Sequence, residues 1–334
     1  MAKKTVKKTA KQKAKEKAIE NQENKFQKIT DEVIKMLETC EGTFELPWHN
    51  LAGTGIPINI VSKKPYRGMN RFWLTLASMR LNNCHFASYK QWQEKGRQVK
   101  KGELGFEIVY YKPTTWKVKN EAGEEEEKST ALLRFSTVFN ETQLENYEAP
   151  KEEKRESVVE QIWRVDEVID CLKPVIEEGA SGAFYRPSED KIYLPPIEMF
   201  KSTEQHYATL LHELTHWTGH KTRCDRPLRN NFGSKEYAKE ELIAELGSSF
   251  LCQDLGVSNY LRPDHVHYLK SWLGALRDDN RFIFRAAAKA QKAVEWIHEN
   301  VDTGSAEGHS PFISQDWNGI AERMEDEQQE LQVA

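Results

Sequence analysis

Five residues in the second half of the chain, His212-Glu213-Leu214-Thr215-His216, restrict the fold more than any other feature. Imidazoles four residues apart share one face of an α-helix, one turn from each other, so both reach a single ion only where that segment is helical. The neighbours agree, because Leu210, Leu211, Leu214 and Trp217 recur at helical spacing and set the imidazoles at the edge of a buried helix. The pair suits zinc, and Glu213 between them is held where a general base would work on water. The pentapeptide alone also arises by chance, so its context decides.

A third protein ligand must come from elsewhere. One zincin class places a further histidine six residues after the second, but that position is Thr222. His220 lies just past Gly219, where the helix should be ending, and is the lesser alternative. The stretch Glu240-Glu241-Leu242-Ile243-Ala244-Glu245, inside a long and otherwise apolar helical pattern, supplies carboxylates. Glu241 is the expected ligand, and Glu245, one turn on, is placed to accept a hydrogen bond from a ligand imidazole. Taken alone these acids would be read as surface charges on an amphipathic helix; their position after the histidine helix favours the metal. Three protein ligands leave a place for water, whose pKa zinc lowers from about 15.7 to roughly 7. Tyr193, Tyr237, His265 and His267 are unranked candidates for an oxyanion donor, and a strand at Lys191 to Leu194 could offer an edge to an extended peptide.

The rest of the 334-residue chain sets the frame. That length allows two domains, each with its own core. Only 38% of residues are hydrophobic against 30% charged, so part of the chain should be tail or linker. No apolar run approaches the roughly 18 residues of a membrane span, and the lysine-rich start lacks the apolar segment of a signal peptide, which predicts a soluble cytoplasmic protein with no membrane partner. Five scattered cysteines, none in a CxxC pair, argue against a disulfide framework or a thiolate metal site.

Local signals give the elements. Residues 1–25 read as a disordered basic arm, and a first helix is capped by Thr30, with Val33, Ile34, Met36 and Leu37 at helical spacing. Phe44 to Asn70 reads as an irregular loop, Arg71 to Leu81 and Ser88 to Lys95 as helices, and Phe106 to Tyr111 as a strand pairing with Leu132 to Phe139 across an acidic tip at Glu124 to Glu127. Residues 146–156, charged and aperiodic, read as a linker. Beyond it come a helix ending before Pro174, strands at Phe184 to Arg186 and Lys191 to Leu194, and helices at Thr203 to Thr218, Glu236 to Leu255, His265 to Arg277 and Arg281 to His298. The expectation is α+β in two domains: residues 26–145, α+β, and residues 157–300, mostly helical with a small sheet, followed by a flexible tail at 301–334.

The two halves differ in charge. Between Ile60 and Lys101 there are ten Lys or Arg against one acid, Glu94. Aromatic residues are interleaved with them, which suits a surface that neutralises phosphates while bases stack on rings. Lys63, Lys64, Tyr66, Arg67, Arg71, Tyr89, Lys90, Trp92, Arg97, Lys100 and Lys101 are the expected nucleic-acid contacts. Phe72 and Trp73, on a helix with Leu76, read as core.

Together these segments resemble the ArdC family of antirestriction proteins of plasmids and phages. In the first half the likeness rests on Leu46-Pro47-Trp48, Pro65-Tyr66-Arg67-Gly68-Met69-Asn70, Val99-Lys100-Lys101-Gly102-Glu103 and Thr137-Val138-Phe139-Asn140; in the second, on Asp190-Lys191-Ile192, the segment His212 to His220, Glu240 to Glu245 and Ser271-Trp272-Leu273. The resemblance implies an N-terminal domain that binds single-stranded DNA, a zincin-like metallopeptidase domain, and protection of incoming DNA from host restriction. The function expected is therefore an antirestriction-type protein that binds single-stranded DNA and carries a zinc site, with Glu213 as general base, His212, His216 and Glu241 as ligands and a protein substrate such as a host restriction component. The alternative is a DNA-coating protein with a structural metal. A nuclease or primase using Mg²⁺ is disfavoured, since no suitable cluster of aspartates occurs.

Overall fold

The computed structural model describes residues 10–39, 55–119, 125–149, 158–228, 234–257, 266–301 and 311–312. Helix α1 runs over Ala10–Thr39, starting twenty residues before the expected cap at Thr30 and replacing much of the expected disordered arm. Residues 10–25 are built almost wholly from Ala, Lys, Glu, Gln and Asn, and most of these lose little on entering a helix. The helix is then held by Phe26, Ile29, Val33 and Leu37, all buried on one face. Thr30 lies inside it, its hydroxyl donating to the carbonyl of Asn280 at 2.7 Å.

The expected loop between Phe44 and Asn70 falls partly outside the described residues; its later part forms a hairpin of β1 (Ile58–Asn59) and β2 (Lys64–Pro65). Helix α2 follows over Gly68–Leu81, three residues earlier than expected, then β3 (His85–Ser88) and α3 (Tyr89–Glu94), which opens on a capping box between Ser88 and Gln91. Strands β4 (Phe106–Lys119) and β5 (Glu125–Asn140) pair antiparallel with Phe106 opposite Val138, longer at the tip end than the sequence suggested. The five strands lie in the order β2-β1-β3-β5-β4.

In the second half, α4 (Val158–Leu172) leads into a three-stranded sheet of β6 (Val175–Glu178), β7 (Phe184–Arg186) and β8 (Lys191–Leu194), in the order β6-β8-β7. The sequence reading missed β6, a four-residue run just after Pro174. Because β6 pairs parallel with β8 and β7 pairs antiparallel on its other side, β8 is the central strand, and the peptide-accepting edge expected at Lys191 to Leu194 does not exist. Helices α5 (Thr203–Trp217), α6 (Lys235–Leu255), α7 (Val266–Asp278) and α8 (Phe282–Val301) complete the fold.

The two halves share one principal core. Ile29, Val33 and Leu37 of α1 and Met69, Phe72 and Leu76 of α2 belong to the same apolar cluster as Leu242, Phe250, Trp272 and Ile283, and each large apolar side chain buried there contributes about 1.5–3 kcal/mol. Most of the expected linker, residues 150–157, lies outside the described residues. Within the expected flexible tail, Phe312 is buried, its ring stacked on His298 at 3.7 Å.

Candidate metal centre

Two helices place the centre. Helix α5 is capped by Ser202, which accepts from the amide of Gln205, and α6 by Ser234, which accepts from the amide of Tyr237; α6 ends at Gly256, in the left-handed conformation with φ 73°. They meet closely at Thr215 and Gly247: a Cβ on Gly247 would lie 2.5 Å from Thr215 Cγ2. Only glycine permits that approach, and it brings the face of α5 bearing the imidazoles against the face of α6 bearing the acids.

Nε2 of His212 lies 3.6 Å from Oε2 of Glu241, and Nε2 of His216 lies 3.6 Å from Oε1 of the same carboxylate. A donor atom from each of the three residues can be chosen so that all lie within 4.8 Å of one another. Two donors about 2.1 Å from a shared tetrahedral ion stand about 3.4 Å apart, so the spacing fits a metal of zinc's size with little adjustment, and a His/His/Glu donor set is one that zinc accepts. Behind the ligands, Nδ1 of His212 faces Glu245 at 3.4 Å and Nδ1 of His216 faces Glu240 at 3.2 Å. A carboxylate behind each ring favours the proton on Nδ1 and turns the Nε2 lone pair inward.

The electrostatics point the same way. Glu213, Glu240, Glu241 and Glu245 are all buried around the two imidazoles. Burial alone would lower the pKa of His216, yet Glu241 and Glu240 push it up to about 10. Burial would raise that of Glu241, yet the imidazoles hold it well below the usual carboxylate range. A nest of buried acids that draws protons onto a histidine is a nest that accepts a cation.

The remaining candidates separate. Tyr237, one turn before Glu241, is pushed above the usual phenol range by burial and by that carboxylate, and its hydroxyl lies 3.5 Å from that of Tyr268. The Tyr193 hydroxyl is bonded to Glu189, and His220 is engaged with Thr222 at 2.8 Å and stands apart from the ligand group. His265 and the side chain of His267 fall outside the described residues. Sequence reasoning gave no role to Arg226, which grips Glu240 from the segment after α5; no spacing signal marks it.

The expected nucleic-acid contacts also divide, and two are corrected. Arg71 is 4% exposed and donates to Asp254, Gln253 and the carbonyl of Phe250, so it is an internal anchor between the halves. Trp92 is 1% exposed, with its indole N–H donating to the carbonyl of Phe139 at 3.0 Å, so no base can stack on it. Arg67 pairs with Glu295, Arg97 with Glu141 at 2.5 Å and Lys90 with Glu94 at 3.6 Å. Tyr66 is half-buried, its hydroxyl accepting from Asn59. Lys63 is half-buried, while Lys64, Tyr89, Lys100 and Lys101 are exposed.

Comparison with known proteins agrees with this layout. Residues 22–139 match the family model described as the N-terminal domain of anti-restriction factor ArdC, and residues 163–289 match the zincin-like metallopeptidase model. The protein y4eC of Sinorhizobium fredii is 38% identical over 281 residues, covering 82% of this chain and 91% of that one. An Escherichia coli DNA primase, TraC, is 35% identical over 287 residues, which is 81% of this chain but only 27% of the primase. The crystal structures of the antirestriction ArdC protein from plasmid R388 superpose with TM-scores of 0.67 (metal-free, 35% identity, 84% of this chain and 98% of that one) and 0.66 (Mn(II)-bound, 34% identity, 84% and 99%). With both regions in the same order and the likeness running across most of both chains, this protein belongs to the ArdC-like antirestriction family, an ArdC N-terminal domain joined to a zincin-like metallopeptidase domain.

Proposed function

We propose that this protein binds single-stranded DNA through its N-terminal half and hydrolyses a peptide bond at a zinc centre held by His212, His216 and Glu241, in the cytoplasm of a bacterium receiving DNA. The observation that carries the peptidase reading is the pair of 3.6 Å separations from the two Nε2 atoms to one carboxylate, with Glu213 between the two histidines in sequence, buried, and close enough to His216 to raise its pKa. A divalent cation held by these three residues would polarise a carbonyl and acidify water. Glu213 takes the proton from the water that attacks the carbonyl and delivers it to the leaving amine. Glu240 and Glu245 hold the imidazoles, and the burial of the four acids keeps bulk water from competing for them. The metal reading is supported by the Mn(II)-bound form of the R388 relative. The protein substrate is proposed to be a component of the host restriction machinery. Among the described residues no helix is long and apolar enough to cross a membrane.

Glu213→Gln tests the reading, because it removes the base and leaves the ligands. The expected result is a protein with unchanged metal content and DNA affinity that no longer protects incoming DNA from restriction. Undiminished protection would make the metal structural and the protein a DNA-coating factor.

A further inference from the structure

Of the six aromatic residues interleaved with the basic segment, Phe72, Phe86 and Trp92 are buried and Tyr66 and Trp73 half-buried, while Tyr89 is 42% exposed. Tyr89 opens α3, and its ring is fixed from two sides. It meets the Phe139 ring in a T-shaped contact with centroids 6.2 Å apart, and its hydroxyl accepts from Nε2 of Gln98 at 2.8 Å. Beneath it, Trp92 is locked among Ala87, Val99 and Leu144, so the short helix cannot roll. The turn at Gly96 and the following segment fold back so that Tyr89, Phe139, Lys100 and Lys101 line one cleft of about 340 Å³. That is the size of a small-ligand site, with room for one nucleotide.

The geometry points to a single-nucleotide subsite in this cleft, with a base lying on the Tyr89 ring and the flanking phosphates on Lys100 and Lys101; the inference rests on the single-stranded DNA reading above. A ring already held in place stacks a base without a further ordering cost, and stacking tolerates any sequence because every base has a flat face. Lys100 donates to the carbonyl of Thr142 at 3.1 Å and keeps two further N–H groups. Two acids also line the cleft. Glu103 is turned toward Gln143, whose Nε2 donates to it at 2.9 Å, and Glu145 is exposed. These acids limit the phosphate attraction, so stacking supplies the larger share of binding here. The hairpin bearing Lys63 and Lys64 is tied to α3 through Asn59 and Gln91 at 3.2 Å, adding two cations on the neighbouring element.

The test is fluorescence-anisotropy titration of the full chain with a fluorescein-labelled oligothymidine of about fifteen nucleotides, long enough for a fold of this size, at several salt concentrations. Tyr89→Ala should weaken binding roughly tenfold with the salt dependence unchanged, and Tyr89→Phe should stay within about twofold because the stacking face survives. The Lys100→Ala/Lys101→Ala pair should flatten the log–log salt slope by about 1.4, with unchanged thermal melting. Tyr89→Ala binding as tightly as the wild type would overturn the subsite and leave the DNA reading standing. A wild-type chain that fails to bind the oligonucleotide even at low salt would remove both.

Discussion

Nε and Nη2 of Arg226 both reach the carboxylate of Glu240, at 3.1 Å and 2.8 Å, and that carboxylate lies 3.2 Å from Nδ1 of His216. Arg226 is tied in turn to Thr218 and to the carbonyl of Thr215. A residue outside the candidate metal group thus sets the orientation of the His216 ring.

Arg226→Gln should therefore raise the zinc dissociation constant about 10- to 100-fold, read by competition with a chelator. It should also cost roughly 3–5 kcal/mol of stability, because Glu240 is left buried without its cation. Arg226→Lys should recover part of the stability but little of the affinity, since an ammonium cannot supply the two-pronged grip. Wild-type affinity in the glutamine variant would remove Arg226 from the centre.

Gly247→Ala should also loosen the site. Alanine is the better helix former by about 1 kcal/mol, but its Cβ would meet Thr215 Cγ2 at 2.5 Å, and overpacking of this kind costs about 1–3 kcal/mol. The clash wins, α5 and α6 move apart, and metal affinity falls. Adding Thr215→Ala should restore a good part of it; a double variant no better than the single one would count against helix spacing as the cause.

Arg71, buried against Asp254, should have no part in the proposed DNA binding. Arg71→Ala should destabilise the chain by roughly 3–5 kcal/mol in urea unfolding, through the stranded charge of Asp254, while the salt slope of oligonucleotide binding stays as in the wild type. A slope flattened by about 0.7, one phosphate contact, would put Arg71 back on the DNA.

Glu141 gives a pH signature. Burial would raise its pKa, but the hydrogen bond from His85 and the charge of Arg97 lower it from 4.5 to about 2. A carboxylate lowered in the folded state adds stability that is present above the unfolded pKa and lost as pH falls through 4.5 toward 2. The contribution at neutral pH is roughly 3 kcal/mol. The stability gap between wild type and Glu141→Gln should accordingly narrow between pH 5 and pH 2, and a gap constant across that window would contradict the network.

The helices bearing the centre were legible because apolar periodicity and glycine stops agreed at α5 and α6, and the pairing of His212 with His216 needed only helical geometry, while Glu241 could be singled out only by its place in the helix that follows. Arg71 and Trp92 were misread for a physical reason. A basic, aromatic stretch has the same composition whether its side chains face water or a partner, and the partner of Arg71, Asp254, lies 183 residues away. The early start of α1 was hidden because its first turns carry lysines in place of an apolar face. Strand β6 is too short to show alternation, and with it unseen β8 looked like an edge.

Helix α6 holds Glu240, Glu241 and Glu245 toward one end, and Gln253 and Asp254, the receivers of Arg71, toward the other. It works as a beam bolted into both halves of the molecule. A chimera that joins the first half of one relative to the second half of another must carry a matching bolt at each end, or the seam will open even though every proposed ligand and DNA contact has been kept.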